Sequence, residues 1–209
     1  MKLMIVGSTG LVGSHALDLA LADPRVGGVV APVRRPLPER PKLRAPVIDY
    51  ERLPEDAELW GVDAVICALG TTMKAAGSRD AFRRVDHDHP LAIARLAREH
   101  GARSFALNSA AGADSGSPFF YCRVKGDLER DLTSIGYESL TLVRPGLIGG
   151  DRTEFRLGER IASVALGVLG PILPRRMRID PAGNIARALL EAAIGGRPGV
   201  HVVGAAELT

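Results

Sequence analysis

A chain of 209 residues, 46% apolar and 24% charged, has room for one α/β domain with a substantial core and too little for two domains of ordinary size. Its 27 basic and 24 acidic residues leave a net charge of +3, a surplus too small for a nucleic-acid-binding arm. Cys67 and Cys122 fall in apolar or helical patterns, and only four apolar residues follow Met1-Lys2 before the first glycine, so reduced thiols, no secretory leader and a cytoplasmic protein are expected.

The chain opens on a buried-strand pattern, Leu3 to Val6, that runs through a glycine-rich turn into an apolar-periodic helix over Leu11 to Leu21. Gly7, Ser8, Thr9, Gly10, Leu11, Val12 and Gly13 read as a cradle for the diphosphate of a dinucleotide. Gly7 suits the tight turn, Gly10 the approach of backbone N–H groups, and Gly13 the contact of helix with strand. The positive end of the helix dipole faces the anion. Val29 to Ala31 predicts a second strand, ending at Arg34 and Arg35. An NAD site calls for a carboxylate about 20 residues past the glycines. Arg34 stands 21 residues beyond Gly13 instead, and two guanidinium groups suit a 2′-phosphate, so NADP(H) is expected over NAD(H).

Ala45 to Asp49 reads as a third strand, with Asp49 and Tyr50 at its end where an adenine can lie, and Glu51 to Leu59 as a polar connector. Asp63 to Ala68 is a fourth, fully covered strand leading into Leu69, Gly70, Thr71 and Thr72 at the carboxyl edge, where ligands gather in such sheets; Ala68 to Thr71 are counted with the cofactor site. Ser78 to Glu99 has a helical period that Pro90 kinks or splits. In its run Asp86-His87-Asp88-His89, alternate residues point to different faces, which speaks against a metal site and leaves Asp86 as the one facing the sheet. Arg103 to Asn108 is the fifth strand, with Ser109 at its end. Pro118 fits the first turn of the next helix, which carries Tyr121 and Lys125 four residues apart on one face.

A tyrosine beside an ammonium has its phenolate favoured, and a serine at the adjacent strand end can share the carbonyl oxygen that the tyrosine protonates. Ser109, Tyr121 and Lys125 are therefore the candidate catalytic residues. Leu140 to Val143 is the sixth strand, and Arg144-Pro145-Gly146 forms a rigid turn near the expected nicotinamide position; Arg144 and Pro145 are counted with the cofactor site, with a structural ion pair as the equal alternative for Arg144. Residues 147–182 read as a substrate lid; the apolar stretch 161–173, broken by Gly167, Gly170 and Pro171, is shorter than the roughly 20 residues that cross a bilayer, so no membrane is expected. The basic run Arg175-Arg176-Met177-Arg178 reads as a solvated face. Asp180 and Pro181 start a helix as N-cap and first-turn residue, and Gly199 to Val203 supplies the last strand.

These motifs, G-S-T-G-L-V-G at 7–13, R-R at 34–35, C-A-L-G-T-T at 67–72, V-D-H-D at 85–88, N-S-A-A-G-A-D at 108–114, Y-C-R-V-K-G at 121–126 and R-P-G at 144–146, resemble the atypical branch of the short-chain dehydrogenase/reductase superfamily. They are most similar to the Tat-interacting protein oxidoreductases. The resemblance implies a doubly wound, mostly parallel Rossmann-like sheet of about seven strands with helices on both faces. It implies NADPH over residues 7–13, and Ser109, Tyr121 and Lys125 in the serine, tyrosine and lysine positions, with Tyr121 and Lys125 also counted with the cofactor site and Lys125 holding the ribose. Hydride transfer with a small-molecule carbonyl or alcohol is the activity implied, with an NADPH-binding regulator of little turnover as the alternative. A nucleotide-sugar epimerase is a weaker reading, since the region after Gly146 is small for such a substrate. One departure stands out: where standard members carry an asparagine, this chain has Asp86. The helices over 78–99 and 118–135 are the usual pairing surface of the superfamily, which makes a homodimer the assembly implied.

Overall fold

The apolar run after Lys2 forms the centre of the sheet. Strand β1 (Lys2–Val6) buries Leu3, Met4, Ile5 and Val6 completely, and its side chains alternate between two apolar layers, Met4 and Val6 into one, Leu3 and Ile5 into the other. In the computed structural model, which describes residues 1–149 and 179–208, the further strands are β2 (Gly28–Val30), β3 (Leu43–Arg44), β4 (Ala64–Cys67), β5 (Ser104–Asn108), β6 (Ser139–Arg144), β7 (Leu147–Gly149), β8 (Ile179–Pro181) and β9 (Gly199–Gly204). Seven of these pair in the order β3-β2-β1-β4-β5-β6-β9, every neighbour parallel, while β7 and β8 form a separate parallel pair.

The order reverses between β1 and β4, whose ends pair Val6 with Cys67. A crevice opens at such a switch point, beyond the carboxyl ends of the strands. Helices α1 (Leu11–Ala22) and α7 (Ala182–Gly195) cover one face through Ala16, Leu17, Ile185 and Leu189. The other face is covered by α2 (Ala57–Trp60), α5 (His89–Glu99) and α6 (Phe120–Thr133), through Trp60, Ile93, Leu128 and Leu132. Trp60, the chain's single tryptophan, is fully buried, and its indole N–H donates to the Pro54 carbonyl at 2.8 Å. Among the described residues no helix is long and apolar enough to cross a membrane.

The expected strand over 45–49 is displaced. The regular ladder stops at Arg44, because Pro46 has no N–H to donate; a lone bridge between Val33 and Val47 continues the pairing. The connector over 51–59 ends in the short helix α2, capped by the Asp56 carboxylate accepting from the Glu58 N–H. The helix expected over 78–99 is three segments: α4 (Arg79–Arg83), a π-helical turn (Arg84–Asp88) and α5. Pro90 lies in the first turn of α5 and cannot donate to the Asp86 carbonyl, so the backbone widens and the His89 N–H reaches back to Arg84. A further short helix, α3 (Met73–Ala76), precedes it, capped by the Thr72 hydroxyl. Pro118 lies outside its helix, whose N-cap is Phe119, and Asp180 belongs to β8 while Pro181 is the N-cap of α7. Of the lid expected over 147–182, the apolar stretch at 161–173 and the basic run at 175–178 lie outside the described residues.

Candidate active site at the carboxyl edge

The turn after β1 is closed by backbone. Gly7 adopts φ +81°, and a Cβ there would stand 2.6 Å from the Ala68 carbonyl oxygen and 2.8 Å from the Leu69 nitrogen, so only glycine lets the turn press on the end of β4. Gly13 is tighter: its Cβ would lie 2.1 Å from the Gly7 oxygen. The Gly10 N–H donates back to that oxygen at 2.9 Å, which fixes the loop at the start of α1. Ser8 is buried and its hydroxyl has no hydrogen-bond partner. An orphaned buried hydroxyl in a backbone cradle at a helix start fits a ligand that brings its own acceptors, as a diphosphate does. Thr9 is exposed, Leu11 half-buried, and Val12 is turned into the α1 layer and is core.

Lys125 meets this turn from the other side. At Gly70 a Cβ would sit 3.4 Å from Asp86 Oδ1 and 4.0 Å from Lys125 Nζ, so the β4 loop that touches Gly7 also touches the ammonium. Lys125 Nζ pairs with Asp86 Oδ1 at 2.8 Å with both side chains buried, and Asp86 Oδ2 accepts from the Thr71 N–H at 2.8 Å. The π-helical turn delivers that carboxylate. Burial disfavours the Lys125 charge, but the charge and hydrogen bond of Asp86 outweigh it and hold Lys125 above its ordinary value. Tyr121, one turn earlier on α6, is 43% exposed and stands edge-on to Phe82. Crowding of its ring pushes the hydroxyl above its ordinary value; Lys125 pulls it down by less, and Asp86 pushes it back up. The ammonium alone would favour the phenolate; burial of the ring outweighs it, and the Asp86 carboxylate paired with that ammonium adds to the upward shift.

Ser109 is buried at the end of β5, its N–H donating to the Val143 carbonyl at 2.7 Å. Its hydroxyl donates at 2.5 Å to Glu129 Oε1, and Glu129 takes both arms of the Arg144 guanidinium, Nε at 3.0 Å and the terminal nitrogen on its other oxygen. Glu129 raises Arg144 above its ordinary value. Arg144 is therefore a structural ion-pair partner, and Pro145 is buried with its carbonyl accepting from Ala111. Glu129 was invisible as a site residue, yet Tyr121, Lys125 and Glu129 succeed one another at four-residue intervals, the spacing of one helix face. Gly126 was missed as well: a Cβ there would meet backbone of Asp114 and Ser115 at 2.2 Å, so it lets the loop after β5 cross α6 in contact.

Arg34 and Arg35 are exposed past the end of β2, and among the described residues neither has an ion-pair partner. Tyr50 holds that turn in place: its hydroxyl donates to the Pro32 carbonyl at 2.8 Å and its ring rests on His89. The Asp49 carboxylate accepts from the Glu51 N–H at 2.9 Å, a local turn contact. In the acidic-histidine run, His87 lies between Asp88 at 2.7 Å and Asp131 at 3.0 Å, facing α6 and not the crevice.

A doubly wound parallel sheet with a glycine turn after its first strand, pressed on the carboxyl end of β4, defines a Rossmann-like, NAD(P)-binding fold. No protein-family model matches the chain. It is 35% identical over 176 residues to Protein fmp52, mitochondrial, of Emericella nidulans, spanning 80% of this chain and 76% of that one. It is 34% identical over 194 residues to Protein HTATIP2 of Rattus norvegicus, spanning 90% of this chain and 79% of that one. The chain belongs to the FMP52/HTATIP2 family of atypical short-chain dehydrogenase/reductases. Among solved structures, MoeE5 in complex with UDP-glucose and NAD superposes with a TM-score of 0.74 at 17% identity, covering 98% of this chain and 76% of that one, a likeness of fold. The fungal relatives, that of Candida albicans included, are named mitochondrial, which overturns the cytoplasmic expectation. Free thiols at Cys67 and Cys122 fit any reducing interior and did not discriminate between them.

Proposed function

We propose that this protein is an NADP(H)-dependent oxidoreductase that moves hydride to or from the carbonyl or alcohol of a small organic molecule. The observation that carries the reading is the chain of contacts from Gly7 through Ala68–Gly70 to Lys125, which joins the diphosphate cradle to the tyrosine-bearing face of α6. A dinucleotide bound there supplies the hydride; the chain supplies the rest. Tyr121 exchanges a proton at its hydroxyl, Lys125 holds a positive charge one helical turn away, and Asp86 fixes that lysine. Tyr121→Phe is expected to lower turnover of a panel of aldehydes, ketones and quinones by about 10²- to 10⁴-fold while leaving NADPH binding intact. Unchanged turnover in the variant would remove Tyr121 from the chemistry.

Arg34 and Arg35 support the choice of NADP(H), as exposed guanidinium groups at the end of β2 that have no ion-pair partner among the described residues. Removing both is expected to weaken NADPH binding about 10- to 100-fold, the loss of one or two charge-assisted hydrogen bonds, and to leave NADH binding unchanged. Equal losses for both nucleotides in a titration of Arg34→Ala/Arg35→Ala would refute the preference. A second reading, an NADPH-binding regulator, is favoured by one detail: Ser109 spends its only proton on Glu129 and has none to donate to a substrate carbonyl. Tight NADPH binding with no turnover across the panel would select it.

A further inference from the structure

The Tyr121 ring stands edge-on to Phe82, and its hydroxyl is raised first by burial, lowered by the charge of Lys125 one turn along α6, and raised by Asp86 of the π-helical turn and by Cys122. Lys125 in turn faces Asp86, Tyr121 and Cys67, the last a thiol that burial pushes up to about 11 and so keeps neutral. Asp86 is held from three sides: by the widened backbone that Pro90 imposes, by the Thr71 N–H at 2.8 Å, and by Lys125 Nζ at 2.8 Å. Nothing about that carboxylate is left to solvent, since its side chain is 1% exposed.

We propose that Asp86 is a positioning residue that offsets the charge of the Lys125 ammonium it pairs with and so, together with burial of the ring, keeps Tyr121 a neutral phenol, biasing the site toward protonating a carbonyl oxygen rather than deprotonating an alcohol. This rests on the reading of Tyr121 as the proton carrier and assigns the site its direction. In that direction the carbonyl carbon gains a hydride from the reduced dinucleotide and the π pair of the C=O bond moves onto oxygen. The Tyr121 O–H bond breaks to protonate that oxygen, and the dinucleotide is left oxidised. The phenolate then recovers a proton from water, which reaches a side chain that is 43% exposed. A lone ammonium beside the phenol would act the opposite way, by stabilising the phenolate needed to accept a proton from an alcohol.

The chain offers a direct readout. It has three tyrosines; Tyr50 is half-buried and Tyr137 buried, they are bonded to the Pro32 and Ala94 carbonyls, and both are held far above the ordinary range by burial. Phenolate absorbance followed from about pH 8 to about pH 12, with circular dichroism as the check on folding, therefore reports Tyr121 first. Wild type is expected to titrate above the ordinary midpoint of about 10, and Asp86→Asn to lower that midpoint by about one unit or more, a tenfold rise in ionisation. The double variant Asp86→Asn/Lys125→Met, which removes both charges and leaves neither buried alone, is expected to stay within about half a unit of wild type. An unchanged or higher midpoint in Asp86→Asn overturns the proposal. Where that variant fails to fold, a rise of about one unit or more in the double variant does so, since it would show Lys125 acting uncancelled. Because this titration needs no substrate, absence of turnover would defeat the oxidoreductase reading and leave the charge assignment of Asp86 to be judged on its own result.

Discussion

Gly13→Ala is expected to lower stability by about 3 kcal/mol or more and to abolish measurable NADPH binding. The added Cβ would lie 2.1 Å from the Gly7 oxygen, 2.7 Å from the Gly7 carbonyl carbon and 3.1 Å from Ser8 Cα. All three are backbone atoms, so no side chain can swing aside. Either α1 lifts from the end of β1, exposing Ala16 and Leu17, or the cradle opens and loses its N–H geometry. In a domain of this size the first outcome corresponds to a melting temperature lower by roughly 6–12 °C. Gly10→Ala is the control: its Cβ would meet the Gly7 oxygen at 3.3 Å, φ there is −80°, and a stability change within about 1 kcal/mol is expected. A Gly13→Ala protein that melts with wild type and still binds NADPH would show that the helix start tolerates separation from the turn.

The second large effect belongs to Glu129. Its carboxylate is 6% exposed and serves Arg144 on two nitrogens and Ser109 on one oxygen. Glu129→Ala strands a guanidinium that is only 33% exposed and a buried hydroxyl. Breaking one side of a buried pair costs about 3–5 kcal/mol, and the partial solvation of Arg144 places this case near 3 kcal/mol. Glu129→Gln keeps an acceptor for both neighbours, and a loss of about 1–2 kcal/mol is expected. The pair Glu129→Leu/Arg144→Met removes both charges together and is expected to recover most of the single-variant loss. Chemical denaturation of the four proteins checks the order. If Glu129→Ala unfolds at the wild-type midpoint, the contact between α6 and β6 does not hold the strand end in place.

The parts legible in the sequence are those whose meaning is local. Four apolar residues, three glycines at three-residue spacing and a periodic helix lie within the first 22 positions, and the backbone there needs no distant partner to be read. Tyr121 and Lys125 were legible for the same reason, being neighbours on one helix. What escaped depends on residues far apart in the chain. Glu129 acquires its role from Arg144, 15 positions later on another element, and from Ser109, 20 positions earlier. The environment of the Tyr121 phenol was not legible either: burial of its ring raises it most, and the carboxylate that adds to this, Asp86, reaches Lys125 across 39 positions through a π-helical turn that no hydrophobic period announces. At the sheet edge, Pro46 removed a donor from an otherwise strand-like run and moved β3 upstream.

The enclosed indole of Trp60 gives the molecule a built-in optical probe. Its N–H is committed to Pro54 and its ring belongs to the layer under α5 and α6, so its emission should be blue in the native state and move to longer wavelength only when water enters there. A red shift that precedes the loss of helical ellipticity on heating would mean that this layer parts before the α1 and α7 side; coincident transitions would mean that both come apart in a single step.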